Sequence, residues 1–274
     1  MKTSPQPQRA MDLSAAAATK RIILTVTTGR TGTNLLADAL NVSRRIHTVH
    51  ESKAFINNMR SVQSTPSLAT DVWINEMLPL ICSRKEPIFA ETGHITCKGY
   101  LKPLLEIGVI PDLILIKRSP RDVARSFTSL DSIAGRTKNG LKYLLSPEDP
   151  DVLQLPGHED LNDYQLNYWY CLEIERRSRE LTELVRSHGG TVAKLPFKEL
   201  IELSSFQNFW ESFELPELGA LGWWRIKRIL SHKVNSKAKK KSKIAPKKLS
   251  SEELPELEQE VIERIGDQAR ELSA

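Results

Sequence analysis

Residues 21–36 read Arg-Ile-Ile-Leu-Thr-Val-Thr-Thr-Gly-Arg-Thr-Gly-Thr-Asn-Leu-Leu, and this stretch constrains the fold more than any other. Its β-branched, apolar first half predicts a buried strand. The run breaks at Thr28-Gly29-Arg30-Thr31-Gly32-Thr33 and resumes at Asn34-Leu35-Leu36 with a helical pattern. Strand, Gly/Thr loop and helix together build an anion cradle. Successive backbone N–H groups turn inward, and the helix N-terminus adds partial positive charge. Glycines let the backbone close around the anion. Arg30 adds a fixed cation, and Thr28, Thr31 and Thr33 add hydroxyls. A plain strand-to-helix turn is the bland alternative for two glycines in this setting.

The loop departs from the nucleoside-triphosphate pattern G-x-x-x-x-G-K-[ST], which needs a Lys after its last Gly and a Ser/Thr for magnesium. Here Thr33 follows Gly32, and the cation, Arg30, comes two residues earlier. The expected ligand is a phosphate-type anion, with no metal ligand in the pattern. A second anchor follows in Pro111-Asp-Leu-Ile-Leu-Ile-Lys117, another strand-like run leading into Arg118-Ser-Pro-Arg-Asp-Val-Ala-Arg-Ser126. Pro120 suits the first helical turn, where its missing N–H costs nothing. Arg118 then stands at a strand end and Ser126 about two helical turns on.

Strands are predicted at 21–27, 45–50, 87–92, 112–117 and 191–195. Helices are predicted at 33–41, 66–82, 99–107, 120–129, 161–187, 197–203 and 251–272. This alternation implies βαβ units and a mainly parallel central sheet flanked by helices, an α/β three-layer fold. Ligands of such sheets sit beyond the carboxyl ends of the strands. That rim collects the 28–34 loop, His50, Glu51, Glu91, His94 and Arg118.

With these anchors in order, the chain resembles sulfotransferases that use 3′-phosphoadenosine 5′-phosphosulfate. In that family the first strand–loop–helix holds the 5′-phosphosulfate. An Arg at a later strand end, with a Ser eight residues on, holds the 3′-phosphate, a spacing that Arg118 and Ser126 keep. Glu91-Thr-Gly-His94-Ile-Thr-Cys-Lys-Gly-Tyr resembles the segment that carries a catalytic His. Thr191 to Ile201, followed by Phe206 to Leu215, resembles the later strand and helices. The resemblance runs from residue 21 to about 215.

It implies a sulfotransferase of P-loop-like fold that moves a sulfuryl group from 3′-phosphoadenosine 5′-phosphosulfate, as co-substrate, to a hydroxyl or amine of a small molecule. It implies donor contacts from Thr28, Gly29, Arg30, Thr31, Gly32, Thr33, Asn34, Arg118 and Ser126. A closing contact is expected from the C-terminal basic segment, at Lys233, Asn235 or a neighbour, although the family's Arg-Lys-Gly signature is absent there. Arg30 replaces the Lys common in the family and is expected to act as a charge clamp rather than a proton donor. Three bases are candidates. His94 leads by its place in the motif, Glu51 follows because some branches use a Glu after the second strand, and Glu91 is either a base or the group that orients His94. The alternatives are a P-loop kinase-like phosphotransferase and a non-catalytic nucleotide-binding relative.

A chain of 274 residues with 40% hydrophobic content supports one core. The expected division is a flexible tail over 1–20 and one α/β domain over 21–274, with a basic loop at 225–250 and a terminal helix at 251–272. Nothing approaches the length of a membrane span. Three scattered cysteines argue against a disulfide framework and a zinc site, and fit a cytoplasmic protein. The 39 Lys/Arg against 34 Asp/Glu give a net charge of +5, and 225–248 alone holds eleven of the basic residues and no acidic one. Aromatic interleaving stops at Trp224, which weighs against nucleic-acid binding. A small-molecule acceptor is the expected partner, and a homodimer is compatible with the sequence. Residues 131–154, rich in Gly, Pro, Asp and Ser, read as a flap over the acceptor. The aromatic cluster Tyr164, Tyr168, Trp169 and Tyr170 reads mainly as core packing.

Overall fold

The apolar runs of the sequence lie side by side as a five-stranded sheet in the order β2-β3-β1-β4-β5, every pair parallel. The structure is a computed structural model that describes residues 6–236 and 252–268, with the side chains of 6–7 and 232–236 outside that description. Its first half runs α1 (Gln6–Ala17), β1 (Arg21–Val26), α2 (Thr33–Leu40), β2 (Ile46–Val49), α3 (Lys53–Ser64), α4 (Leu68–Val72), a π-helical turn (Trp73–Met77), α5 (Leu78–Ser83), β3 (Ile88–Glu91) and α6 (Leu101–Glu106). Its second half runs β4 (Asp112–Lys117), α7 (Pro120–Thr128), α8 (Lys138–Tyr143), a 3-10 turn (His158–Asp160), α9 (Asp163–Ser187), β5 (Val192–Pro196), α10 (Phe197–Ile201), α11 (Leu203–Ser212), α12 (Ala220–Ser236) and α13 (Leu254–Ile265).

Period-two alternation in the strands feeds two separate cores. Ile22, Leu24 and Val26 of β1, with Leu113 and Leu115 of β4, meet one core, to which α3, α6, α7, α9 and α13 contribute. Ile23, Ile114 and Ile116 point the other way, against Leu36 and Leu40 of α2, Phe206 and Trp210 of α11 and Ile226 of α12. Both faces are covered, giving the three-layer α/β architecture. β1 sends its chain through α2 toward one edge of the sheet, and β4 sends its chain through α7 and α9 toward the other. The carboxyl ends of β1 and β4 therefore flank a topological switch point.

The longest helix, α9, starts on a full capping box. The Asn162 side chain accepts from Gln165 N–H, and the Gln165 side chain accepts from Asn162 N–H. Its aromatic residues pack as the composition implied, with Trp169 and Tyr170 fully buried.

Three expectations need correction. The tail is not flexible throughout, because Gln6–Ala17 is a helix whose Ala17 is buried and whose Leu13 packs on the core. Ala-rich sequence favours the helix, and docking beside α5 stabilises it. The basic loop at 225–250 is helical through Ser236 as part of α12. Residues 237–251 lie outside the described residues. The segment 131–154 is not a loose flap. Ile133, Leu144, Leu145, Val152 and Leu153 are buried, and Arg60 ties it down through a bidentate pair with Asp149 at 2.8 and 2.9 Å and a hydrogen bond to the Leu144 carbonyl.

Candidate functional site

The loop after β1 is held from every side. Thr27 and Thr31 hydroxyls share a hydrogen bond of 2.6 Å, the Tyr170 hydroxyl donates to the Thr28 carbonyl at 2.8 Å, and an Arg118 N–H donates to the Arg30 carbonyl at 2.9 Å. Gly29 and Gly32 have φ of 86° and 89°, and Arg30 itself sits at 57°. Left-handed backbone at a non-glycine residue is a strained arrangement that the surrounding bonds must enforce. A Cβ on Gly29 would lie 3.0 Å from the His94 ring, and one on Gly32 would lie 2.9 Å from Leu200 of α10. Both glycines are thus required twice, by backbone geometry and by close approach.

The carbonyls of Thr28, Gly29, Arg30 and Gly32 are engaged, while among the described residues no protein acceptor takes the backbone N–H of Gly29, Arg30, Thr31, Gly32 or Thr33. These donors lie where the chain enters α2, the arrangement that suits an anion. Asn34 is exposed in the first turn of α2, Thr31 and Thr33 are buried, and Thr28 is half-buried with its hydroxyl bonded to the Gly29 carbonyl.

Arg30, Arg118 and Ser126 come together beside this loop. Arg30 Nε donates to Ser126 Oγ at 3.1 Å. Arg118, at the end of β4, lies over the Phe197 ring at 5.1 Å and 3.9 Å from Asp122. Burial and then the neighbouring Arg118 charge push the Arg30 guanidinium down from its usual value, with Glu51 opposing. Two adjacent guanidinium groups make a strongly electropositive spot. A cavity of about 380 Å³ opens beside it, lined by Thr28, Lys117, Arg118, Tyr168, Glu175 and Ile262 among others.

The other side of the loop holds the proton-handling groups. Glu51 follows β2 and, like Arg30, has left-handed backbone, at φ 50°. Its Oε1 lies 3.6 Å from His94 Nε2 and 3.9 Å from His50 Nε2. His50 Nδ1 is 3.0 Å from the Thr92 carbonyl. His94 is buried, and that burial, followed by the charges of Lys98, His50 and Arg30, pushes its pKa well below the usual imidazole range. It is therefore a neutral ring near pH 7.

Glu91 does not orient His94. Its carboxyl is buried at the end of β3 and accepts from the Ser52 N–H at 3.2 Å and the Gly93 N–H at 3.0 Å, so it ties β3 to the start of α3. Burial pushes it up to about 7 against those hydrogen bonds. The group that meets His94 Nδ1 is Lys98, at 2.7 Å. Sequence reading passed over this residue, because a Lys four residues after a His reads as surface charge. A turn over Ile95–Tyr100 brings it inward. Lys233 lies in the backbone of α12, and its side chain is outside the described residues, as are Lys237 to Lys243.

Among the described residues no helix is long and apolar enough to cross a membrane. No protein-family model matches the chain, and no curated protein matches it by sequence. Among solved structures, a sulfotransferase domain from the curacin biosynthetic pathway superposes with a TM-score of 0.46 at 11% identity, over 92% of this chain and 98% of that one.

Proposed function

We propose that the protein transfers a sulfuryl group from 3′-phosphoadenosine 5′-phosphosulfate to a hydroxyl or amine of a small molecule. The observation that carries this reading is the contact across Gly29. An anion cradle with uncommitted N–H donors and Arg30 lies on one side of the loop, and His94, 3.6 Å from Glu51, packs on the other. Anion binding and proton removal are thus within one residue's reach of each other.

The donor supplies the sulfuryl group. This chain supplies the rest. Thr28 to Asn34 and Arg30 hold the 5′-phosphosulfate end, while Arg118 and Ser126 address the 3′-phosphate. Charge grows on the departing oxygen only as the bond to sulfur breaks, and a preorganised guanidinium stabilises that charge more than the ground state. Arg30 keeps its proton throughout, so it stabilises charge without donating. An acceptor hydroxyl needs a base within hydrogen-bond reach, and the Glu51–His94 pair provides one. Kinase-like phosphoryl transfer fits less well. Thr33 stands where a phosphate-loop Lys is needed, and the Glu91 carboxyl at the end of β3 is taken by two backbone N–H groups.

Incubation with the donor and a panel of hydroxyl- and amine-bearing metabolites, read by mass spectrometry, tests the proposal. The expected result is a product heavier by one SO₃, together with release of 3′-phosphoadenosine 5′-phosphate. Magnesium-dependent transfer of phosphate from ATP, with no SO₃ product, would replace it with the kinase-like reading.

A further inference from the structure

Both ring nitrogens of His94 face a charged neighbour. Nε2 is 3.6 Å from Glu51 Oε1, and Nδ1 is 2.7 Å from Lys98 Nζ. Lys98 is fully buried, and its Nζ has two further partners. It donates to the Tyr143 carbonyl and lies 5.0 Å from the centre of the Tyr170 ring. An ammonium has three N–H donors and no acceptor. Here it finds an imidazole nitrogen, a carbonyl oxygen and an aromatic face, three electron-rich partners for three protons. A neutral imidazole carries a single ring proton. When Nδ1 accepts from Lys98, that proton must sit on Nε2, pointing at Glu51.

We propose that Lys98 is a positioning residue that decides which nitrogen of His94 carries the ring proton, and hence whether Glu51 or His94 takes the proton of the acceptor. Only the second half rests on the sulfuryl-transfer reading. While Lys98 is an ammonium, His94 turns its Nε2–H toward the Glu51 carboxylate 3.6 Å away, and Glu51 is the base. The acceptor O–H bond breaks and a Glu51 O–H bond forms. The acceptor oxygen bonds to sulfur as the phosphosulfate S–O bond breaks, and the departing oxygen keeps that electron pair beside Arg30. When the proton shared by Lys98 and Nδ1 passes to Nδ1, the Nε2 proton leaves to solvent, the Lys98 amine lone pair accepts from Nδ1–H, and the Nε2 lone pair is free to take the acceptor proton.

The exchange falls near neutrality, because burial pushes Lys98 down to about 7. The charged neighbours act in both directions. Cys97 and Glu51 raise it, while Arg60 of α3 and Arg177 of α9 lower it. Arg30 and His50 press on the other partner, His94. Lys142 sits 5.0 Å from the Tyr143 ring centre.

Nuclear magnetic resonance of ¹⁵N-histidine protein, with His94 assigned by its loss in His94→Gln, reads the ring protonation directly. It needs neither donor nor acceptor, so it stands apart from the outcome of the transfer assay. At about pH 6 the wild-type ring should be neutral and protonated on Nε2, and by about pH 9 the proton should have moved to Nδ1. Lys98→Met should abolish this reversal. A wild-type ring protonated on Nδ1 at the lower pH overturns the proposal, as does a reversal that survives Lys98→Met. Should that variant fail to fold, the wild-type spectrum at the lower pH still decides. A folded protein that shows the Lys98-dependent reversal but transfers no sulfuryl group would sink the functional reading alone.

Discussion

On the β4 side of the Gly29 loop the groups nearest the cradle are two arginines, Arg30 and Arg118, with Lys117, Asp122 and Glu175 beyond them, and on the β2/β3 side they are carboxylates, imidazoles and a lysine. Arg30 and Arg118 keep their protons at any physiological pH. They are held by a serine hydroxyl, a carbonyl and an aromatic ring. Across the loop, burial pushes Glu91 up to about 7 and Lys98 down to about 7, and drives His94 below its ordinary range. One half of the rim offers permanent positive charge for binding anions. The other half gathers groups that can accept or share a proton, as a site that removes a proton requires. Gly29 is the partition between them, with the His94 ring 3.0 Å from where a Cβ on it would lie.

The comparison breaks most visibly if the proton side is damaged without loss on the anion side. Glu51→Gln should lower turnover by about 10²–10⁴, the usual span for removal of a general base, with affinity for 3′-phosphoadenosine 5′-phosphate near normal. His94→Gln should cost less, since its ring acts through Glu51 while Lys98 is charged. Steady-state kinetics with parallel calorimetry checks both. The reverse ranking would return the base to His94, and a large loss of nucleotide affinity in Glu51→Gln would erase the division of the rim.

Arg30→Ala tests the anion side. Turnover should fall by about 10²–10³, more than affinity for the spent nucleotide, because the cation acts on charge that develops in the transition state. An unchanged kcat with only a raised donor KM would make Arg30 a ground-state clamp.

Glu91 sharpens the division within the proton side, since it belongs to the scaffold rather than to the chemistry. Its folded-state pKa of about 7 lies above the ordinary 4.5, so the native state binds its proton more tightly than the unfolded chain does. That contribution is fully present below about pH 4.5, declines as pH rises, and is gone above about pH 7. The span is on the order of 3 kcal/mol. Denaturation of wild type and Glu91→Gln across this range should show the wild type losing stability relative to the variant, with turnover little altered. Parallel stability curves would remove the raised pKa, and a large loss of turnover would move Glu91 into the chemistry.

How legible each half was follows from where its signal lay. The anion side is written in contiguous sequence. The β1 run, the paired glycines of the loop and Pro120 at the start of α7 declare the elements, with Arg118 just before α7 and Ser126 about two turns along it. All five strands fall within about a residue or two of their predicted bounds for the same reason. The proton side depends on approaches between distant segments. Lys98 becomes a buried partner of His94 only because the Tyr143 carbonyl and the Tyr170 ring reach it from α8 and α9. The segment 131–154 has the composition of a loop, but its few apolar residues and the Arg60–Asp149 pair fix it in place. The scaffold contacts of Glu91 have no sequence signal, because the Ser52 N–H that meets its carboxyl comes from a segment 39 residues away.

The most direct measurement of the central claim is calorimetry of the free protein with 3′-phosphoadenosine 5′-phosphate and with adenosine 5′-monophosphate, both without magnesium. Arg118 and Ser126 stand beside the loop rather than in it, where they can address a second phosphate. A charged hydrogen bond there contributes roughly 1.5–3 kcal/mol, so the bisphosphate should bind about ten- to a hundred-fold more tightly. Equal affinities, or tight ATP binding that needs magnesium, would contradict the account.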